Sequence, residues 1–85
     1  MSLFNFFRNP NIQLTDDQRF LNIEYKPRSA KPLYDICDEH GRIIKTGKIT
    51  RNQMKLAVGD LINAAYVLLI LDGDQIKKHR FEISR

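Results

Sequence analysis

The chain has 85 residues, of which 42% are hydrophobic and 28% charged, and its formal net charge is +4. This length allows one domain with one core, and the composition excludes a low-complexity disordered chain. The single cysteine, Cys37, excludes an intrachain disulfide. With His40 and His79 it gives three candidate metal ligands, whose spacing does not fit a zinc site. We therefore predict no metal and no cofactor.

The charge is uneven along the chain. Residues 1–40 carry five Lys or Arg and six Asp or Glu, whereas residues 41–85 carry nine and four. A basic half attracts nucleic acid, anionic lipid or an acidic protein. Lysines also protect the edge strand of a sheet from unwanted pairing. Because the excess is small and spread over several segments, we favour a solvated sheet surface.

No apolar run reaches the roughly 20 residues of a membrane-spanning helix. The longest run, residues 64–71, has the length of a strand. The N-terminus lacks the basic region and cleavage site of a secretory signal. As written, the chain is expected in the cytoplasm; if it is part of a longer cargo protein, it is expected to be exported or at the cell surface.

Residues 1–8 form an apolar arm that contains Phe4, Phe6 and Phe7. We interpret it as a segment that packs on a single domain over residues 9–85. A dimer contact, an added edge strand and a weak membrane foot are alternative roles for this arm.

The domain itself reads as a series of short strands separated by turns. Alternating apolar residues predict most of them, and residues 66–71, apolar on both faces, predict a central strand buried on both sides. Gly41 and Gly73 mark hairpin turns that need positive φ. Gly47 indicates a bulge or a close backbone approach. The strands are predicted at residues 12–14, 19–26, 33–38, 42–49, 53–58, 66–71 and 75–83.

Six or seven short strands joined by Gly, Pro and Asx turns predict an all-β fold. Without a long helix, such strands bury their apolar faces by packing one sheet on another. We predict an antiparallel, immunoglobulin-like β-sandwich, with a small β-barrel as the alternative.

Several of these residues form a pattern that resembles a known family. The elements are an Asn9-Pro10 pair, Tyr34-Asp35 followed by Gly41-Arg42-Ile43-Ile44 on a hairpin, Leu61 and Tyr66 leading an aliphatic strand, and a basic last strand with Lys77, Lys78 and Arg80. They resemble the C-terminal sorting domain (type A) of proteins exported by the type IX secretion system of Bacteroidota, over roughly residues 9–84. The resemblance implies a β-sandwich that a secretion apparatus recognises.

The sequence offers little for catalysis. Its paired carboxylates, at residues 16–17, 38–39 and 72/74, fall in predicted turns, where Asp is favoured because it bonds nearby backbone amides. Cys37 lies in a strand and His40 at a hairpin tip, so they are not expected to act as nucleophile and base. There is no Gly-rich phosphate loop. We predict that the protein is not an enzyme.

Three functions follow in order of preference. The first is a non-catalytic sorting or anchoring module, with Lys77, Lys78 and Arg80 contacting a protein partner. The second is a free-standing cytoplasmic interaction module of unknown role, dimeric through Phe4, Phe6 and Phe7 or through an open sheet edge. The third is a weak nucleic-acid binder, in which the three basic residues of the last strand join Arg42, Lys45 and Lys48 if their strands are neighbours, with Tyr25, Tyr34 and Tyr66 stacking on bases.

Overall fold

The computed structural model describes residues 10–85, and within that range it contains seven strands and no helix. All seven predicted strands are present, with bounds that differ from the predicted ones by at most two residues. Phe4, Phe6 and Phe7 of the predicted arm lie outside the described residues. The strands are β1 (Asn11–Leu14), β2 (Phe20–Glu24), β3 (Leu33–Asp38), β4 (Ile43–Lys48), β5 (Gln53–Ala57), β6 (Ala64–Asp72) and β7 (Gln75–Ile83).

The strands form two antiparallel sheets, one with the order β1-β2-β5 and the other with the order β4-β3-β6-β7. In immunoglobulin lettering, with β4 as C′ and no strand D, these sheets are A-B-E and C′-C-F-G, which is an immunoglobulin-like arrangement. The sheets do not close on each other, so the sandwich is confirmed and the barrel is not.

The core lies between the two sheets and is made of the residues that alternate inward. Leu21, Ile23 and Tyr25 face it from β2 and the residue after it, as predicted. Ile36 of β3 and Leu68 of β6 are in register and fully buried. Each sheet thus buries one apolar face, which is how an antiparallel sandwich gains most of its stability.

Tyr66 at the start of β6 forms a tyrosine corner. Its hydroxyl donates to the carbonyl oxygen of Ile62 at 2.6 Å, and its ring stacks on Phe81 with centroids 5.6 Å apart. This Tyr, near the start of strand F and bonded to the backbone just upstream, is a hallmark of immunoglobulin-like sandwiches. It fixes the path of the chain as it crosses from one sheet to the other.

Both predicted hairpin glycines have positive φ. Gly41 (φ +81°) lies in the β3–β4 turn and Gly73 (φ +64°) in the two-residue β6–β7 turn. Asp74 does not have positive φ, so only the first central residue of this turn is left-handed, as in a type II′ turn. Gly47 is at a close approach, but to a side chain: a Cβ there would lie 2.6 Å from the Tyr34 ring. The bulge lies elsewhere in β4, at Ile44, opposite Ile36 and Cys37 of β3.

Arg85, the last residue of the sequence, joins two loops. Its guanidinium donates to the carbonyl oxygens of Val58 (2.8 Å), Leu61 (2.8 Å) and Gln18 (2.9 Å). Gln18 has a left-handed backbone (φ 57°), which is uncommon outside Gly. These bonds connect the β1–β2 turn to the β5–β6 link, and no local sequence pattern predicted them.

Candidate interaction surface on the four-stranded sheet

The outer face of the four-stranded sheet is the side that points away from the core, and strand register defines its residues. It is apolar in the middle: Val67, Leu69 and Leu71 of β6 are half-buried there, although β6 lies between two other strands. Leu33 and Ile76, which flank Leu71, are 40% and 59% exposed. The outer face consists of Leu33, Asp35, Cys37, Ile43, Thr46, Lys48, Ala65, Val67, Leu69, Leu71, Ile76, Lys78, Arg80 and Glu82.

This face differs from the outer face of the three-stranded sheet, which is polar except for the row of Phe20 and Ala57. There the rows in register are Gln13, Asn22 and Lys55, then Asn11, Glu24 and Gln53. A half-solvated antiparallel sheet normally alternates in this way, with apolar residues inward and polar residues outward. The four-stranded sheet departs from that rule along β6, and within residues 10–85 no third sheet or helix covers this side.

β6 is therefore central, as predicted, but it is not buried on both sides. The prediction of complete burial is wrong for Val67, Leu69 and Leu71, all of which are only half-buried. The sequence signal was real, because both faces of the strand are apolar. Its meaning was missed: a strand with two apolar faces in a two-layer fold has only one layer to pack against.

The predicted basic contact residues of β7 lie on different sides of the sheet. Lys78 and Arg80 are exposed on the outer face, beside Leu69 and Val67. Lys77 is in register with buried Ile70 and so belongs to the opposite side. A shallow depression of about 510 Å³ runs between Arg80, Lys78 and the β6 residues. The outer face thus combines an apolar centre with a basic rim along β7, at Lys78 and Arg80, whereas Asp35 and Glu82 on the same face are acidic.

The basic residues of β4 do not extend this rim. β4 and β7 are opposite edges of the sheet, separated by β3 and β6, so the condition for one joint basic face is not met. Arg42 pairs with Asp38 (2.8 Å) and Lys45 with Asp60 (2.9 Å). The Lys45 ammonium lowers the pKa of Asp60 through its hydrogen bond.

The three tyrosines are not arranged to stack on bases. Tyr25 and Tyr66 are both 3% exposed, and Tyr34 is half-buried over Gly47. Single-strand binding relies on exposed aromatic faces along a basic groove. Among residues 10–85 none of the three tyrosines offers an exposed ring beside the basic residues, so this arrangement does not support the nucleic-acid hypothesis.

Two of the predicted turn carboxylates bond locally. Asp38 accepts backbone N–H bonds from Arg42 and His40, each at 2.9 Å, and the bond from Arg42 is the main cause of its lowered pKa. Asp17 accepts bonds from the Thr15 hydroxyl and Arg19 N–H, and the bond from Thr15 chiefly lowers its pKa. The predicted bonding to nearby backbone amides is confirmed for both residues; Asp17 lies in a turn, whereas Asp38 is the last residue of β3.

Asp72 differs from these two residues because its hydrogen bonds are not local, so the prediction that it bonds nearby backbone amides is wrong. It is the last residue of β6, is 3% exposed, and accepts hydrogen bonds from residues far away in sequence. Tyr25 donates its hydroxyl, and the backbone N–H groups of Arg28 (2.8 Å) and Ser29 (2.7 Å) complete the set. The carboxylate thereby fixes the β2–β3 connector to the end of β6.

The electrostatics of this cluster favour an ionised carboxylate and a neutral phenol. Burial by itself would raise the pKa of Asp72, but the hydrogen bonds from Ser29, Tyr25 and Arg28 outweigh it, so the pKa lies well below its usual range. Burial, together with the adjacent Asp72 carboxylate, raises the pKa of Tyr25 to about 12. A phenol and a carboxylate in these states have no proton to exchange at neutral pH, and we assign the cluster to stability.

The candidate metal ligands are separated. Cys37 is buried on the outer-face side of β3, His40 is exposed in the β3–β4 turn, and His79 is half-buried on the inner side of β7. Among residues 10–85 no group of three His, Cys, Asp or Glu side chains is placed to hold a metal ion. The same described range contains no helix that is long and apolar enough to cross a membrane.

Neither models of known protein families nor curated protein sequences give a match to this chain.

Proposed function

We propose that the chain is a non-catalytic β-sandwich module that a protein partner recognises through the outer face of the four-stranded sheet. The observation that carries this proposal is the apolar column of Val67, Leu69 and Leu71 beside the exposed Lys78 and Arg80. Interface centres are apolar and depleted in charge, and Arg is enriched among residues that contribute most to binding.

The partner class that we propose is a secretion apparatus, for which the module acts as a sorting or anchoring domain. The residues that resemble the type IX sorting domain support this role, and the fold that the resemblance implies is the fold observed. Lys78 and Arg80 are the predicted contact residues that lie on the proposed surface. The exposed charges would steer an acidic partner and orient it on the apolar centre.

The test is delivery of a reporter in a type IX host. An exported reporter is fused to the chain and its location is measured by protease accessibility on intact cells and by fractionation. We expect the fusion to reach the cell surface. Retention of the wild-type fusion in the periplasm would rule out the sorting role.

Two substitutions identify the surface. Leu69→Glu puts a charge at the centre of the outer face and should retain the fusion in the periplasm. Asn22→Glu adds the same charge to the polar face of the other sheet and should leave delivery unchanged. Thermal unfolding of both purified variants checks that each remains folded. If Leu69→Glu is folded and is delivered like the wild type, the outer face is not the recognition surface.

A further inference from the structure

The outer face carries charges that match a second copy of itself. Asp35, Leu69 and Lys78 lie in one row across β3, β6 and β7. Adjacent strands are about 4.8 Å apart, so the acidic and the basic residue flank Leu69 at about equal distances on opposite sides. Within residues 10–85 neither Asp35 nor Lys78 takes part in an ion pair.

We infer that the outer face binds a second copy of this chain around a two-fold axis parallel to β6. This inference rests on the proposed role of the face as a protein-binding surface: the second copy covers the face in a weak dimer and is displaced when the partner binds. A rotation about such an axis exchanges the β3 side and the β7 side of the facing sheet. Asp35 of each copy then meets Lys78 of the other, while Leu69 meets its own counterpart, as an isologous interface requires.

The neighbouring row fits the same operation. Leu33 and Ile76 flank Leu71 in register, so each Leu33 meets the other copy's Ile76 and the most exposed apolar residues of this end are covered. The aligned packing angle of two twisted sheets, about −30°, displaces residues near the axis only slightly. The central rows therefore keep their partners.

Charge excludes the other face-to-face arrangement. A two-fold axis perpendicular to the strands, through the row of Leu69, would place Asp35 on Asp35 and Lys78 on Lys78. Like charges brought together in an interface are strongly unfavourable. Of these two axes, the one parallel to β6 pairs Asp35 with Lys78 and places the apolar column on its own counterpart.

The size of the face sets the strength of the dimer. Across an axis on β6 only β3, β6 and β7 overlap, and three strands of about 20 Å give a projected area of about 290 Å² per copy, which is in the range of weak contacts. We expect a weak dimer that dissociates on dilution and that weakens when salt screens the charged pairs.

Sedimentation equilibrium of the full chain over a range of concentrations tests this inference. Asp35→Lys and Lys78→Asp should each weaken dimerisation about tenfold, because two symmetry-related pairs change from attraction to repulsion. The double variant D35K/K78D should restore it. Lys26→Asp, at an exposed position outside the outer face, matches the charge change of Lys78→Asp and should have little effect.

Several results would overturn the dimer. One is a monomer at millimolar concentration, and another is a double variant that is no tighter than the single ones. If dimerisation survives both single substitutions but is lost when Phe4, Phe6 and Phe7 are replaced by Ser, the contact lies in the N-terminal arm and the inference is refuted. A wild-type monomer whose Leu69→Glu variant still fails in reporter delivery would refute the dimer and leave the proposed function standing.

Discussion

Replacing Asp72 with Ala should destabilise the domain more than any other turn-adjacent carboxylate. The substitution leaves the buried Tyr25 hydroxyl without an acceptor, which costs about 1–3 kcal/mol. The backbone N–H groups of Arg28 and Ser29 also lose their acceptor, but they are only partly buried, so water replaces part of each bond at about 0.5–1 kcal/mol apiece. We expect a total loss of about 3 kcal/mol in the free energy of unfolding.

Urea denaturation followed by circular dichroism at pH 7 measures this loss. Asp74→Ala is the matched control, because Asp74 is exposed in the same hairpin and should change stability by less than about 0.5 kcal/mol. Tyr25→Phe should cost stability in the wild type and almost none in the Asp72→Ala background, since the two residues share one bond. A loss below about 1 kcal/mol for Asp72→Ala, or fully additive effects of the two substitutions, would refute the buried-acceptor role.

The pH dependence of the same variant follows from the lowered pKa of Asp72. A depressed pKa in the folded state means that the contribution is present above the unfolded value, about 3.9, and is lost as pH falls through the folded value. The stability gap between the wild type and Asp72→Ala should therefore narrow below about pH 4. A gap that stays constant from pH 7 to pH 3 would contradict the assignment.

Three further predictions concern other parts of the fold. The pKa of Tyr25 is raised to about 12, so its contribution to the free energy of unfolding is complete below the unfolded pKa of about 10 and is lost as the pH rises towards 12. Unfolding measured between about pH 10 and pH 12 should show this loss in the wild type and not in Tyr25→Phe. Gly47→Ala should cost about 1 kcal/mol, because the new methyl group displaces the Tyr34 ring; Gly59→Ala, where a Cβ meets nothing closer than 3.7 Å, should be nearly neutral by the same denaturation assay. Arg85→Ala should lower the unfolding temperature by several degrees, and Arg85→Lys should not rescue it, because a single ammonium cannot reproduce the guanidinium's bonds to three carbonyl oxygens.

Local sequence patterns predict most of the strands and turns of the fold. Leu21, Ile23 and Tyr25 alternate with polar residues and all face the core, because a strand places successive side chains on opposite faces. The turn at Gly73 was equally readable, since a positive φ after Asp in a two-residue link is a local requirement. These features need no information from distant parts of the chain.

The polar connections depend on distant residues and could not be predicted in this way. Asp72 is followed by Gly, and an Asp-Gly pair indicates a turn whatever the carboxylate contacts. Its donors, Tyr25, Arg28 and Ser29, lie 43 to 47 residues earlier in the chain. Arg85 is similar, because its three acceptors are loop carbonyl oxygens that any sequence supplies. Only the tertiary structure brings such groups together.

The candidate surface could be predicted from the sequence only in part. The double apolar character of β6 was visible in the sequence, but a strand with two apolar faces is buried on both only if a third layer covers it. The order β4-β3-β6-β7 then decided which charges stand beside Leu69, namely Asp35 on one side and Lys78 on the other. Strand order is a property of the whole chain.

The separation of stability from recognition makes the outer face testable. Tyr66, Asp72 and Arg85 make their hydrogen bonds to loops and connectors, and none of these bonds involves an outer-face residue. Substitutions of Asp35, Leu69 or Lys78 therefore remove no bond that joins the sheets or the loops within residues 10–85. Lys78 is exposed, and changes at exposed positions away from such features usually alter stability by no more than about 0.5 kcal/mol; Leu69 and Asp35 are half-buried, so the unfolding of their variants is measured as well. If such a variant loses delivery or self-association while its unfolding is unchanged, the loss can be assigned to the surface itself.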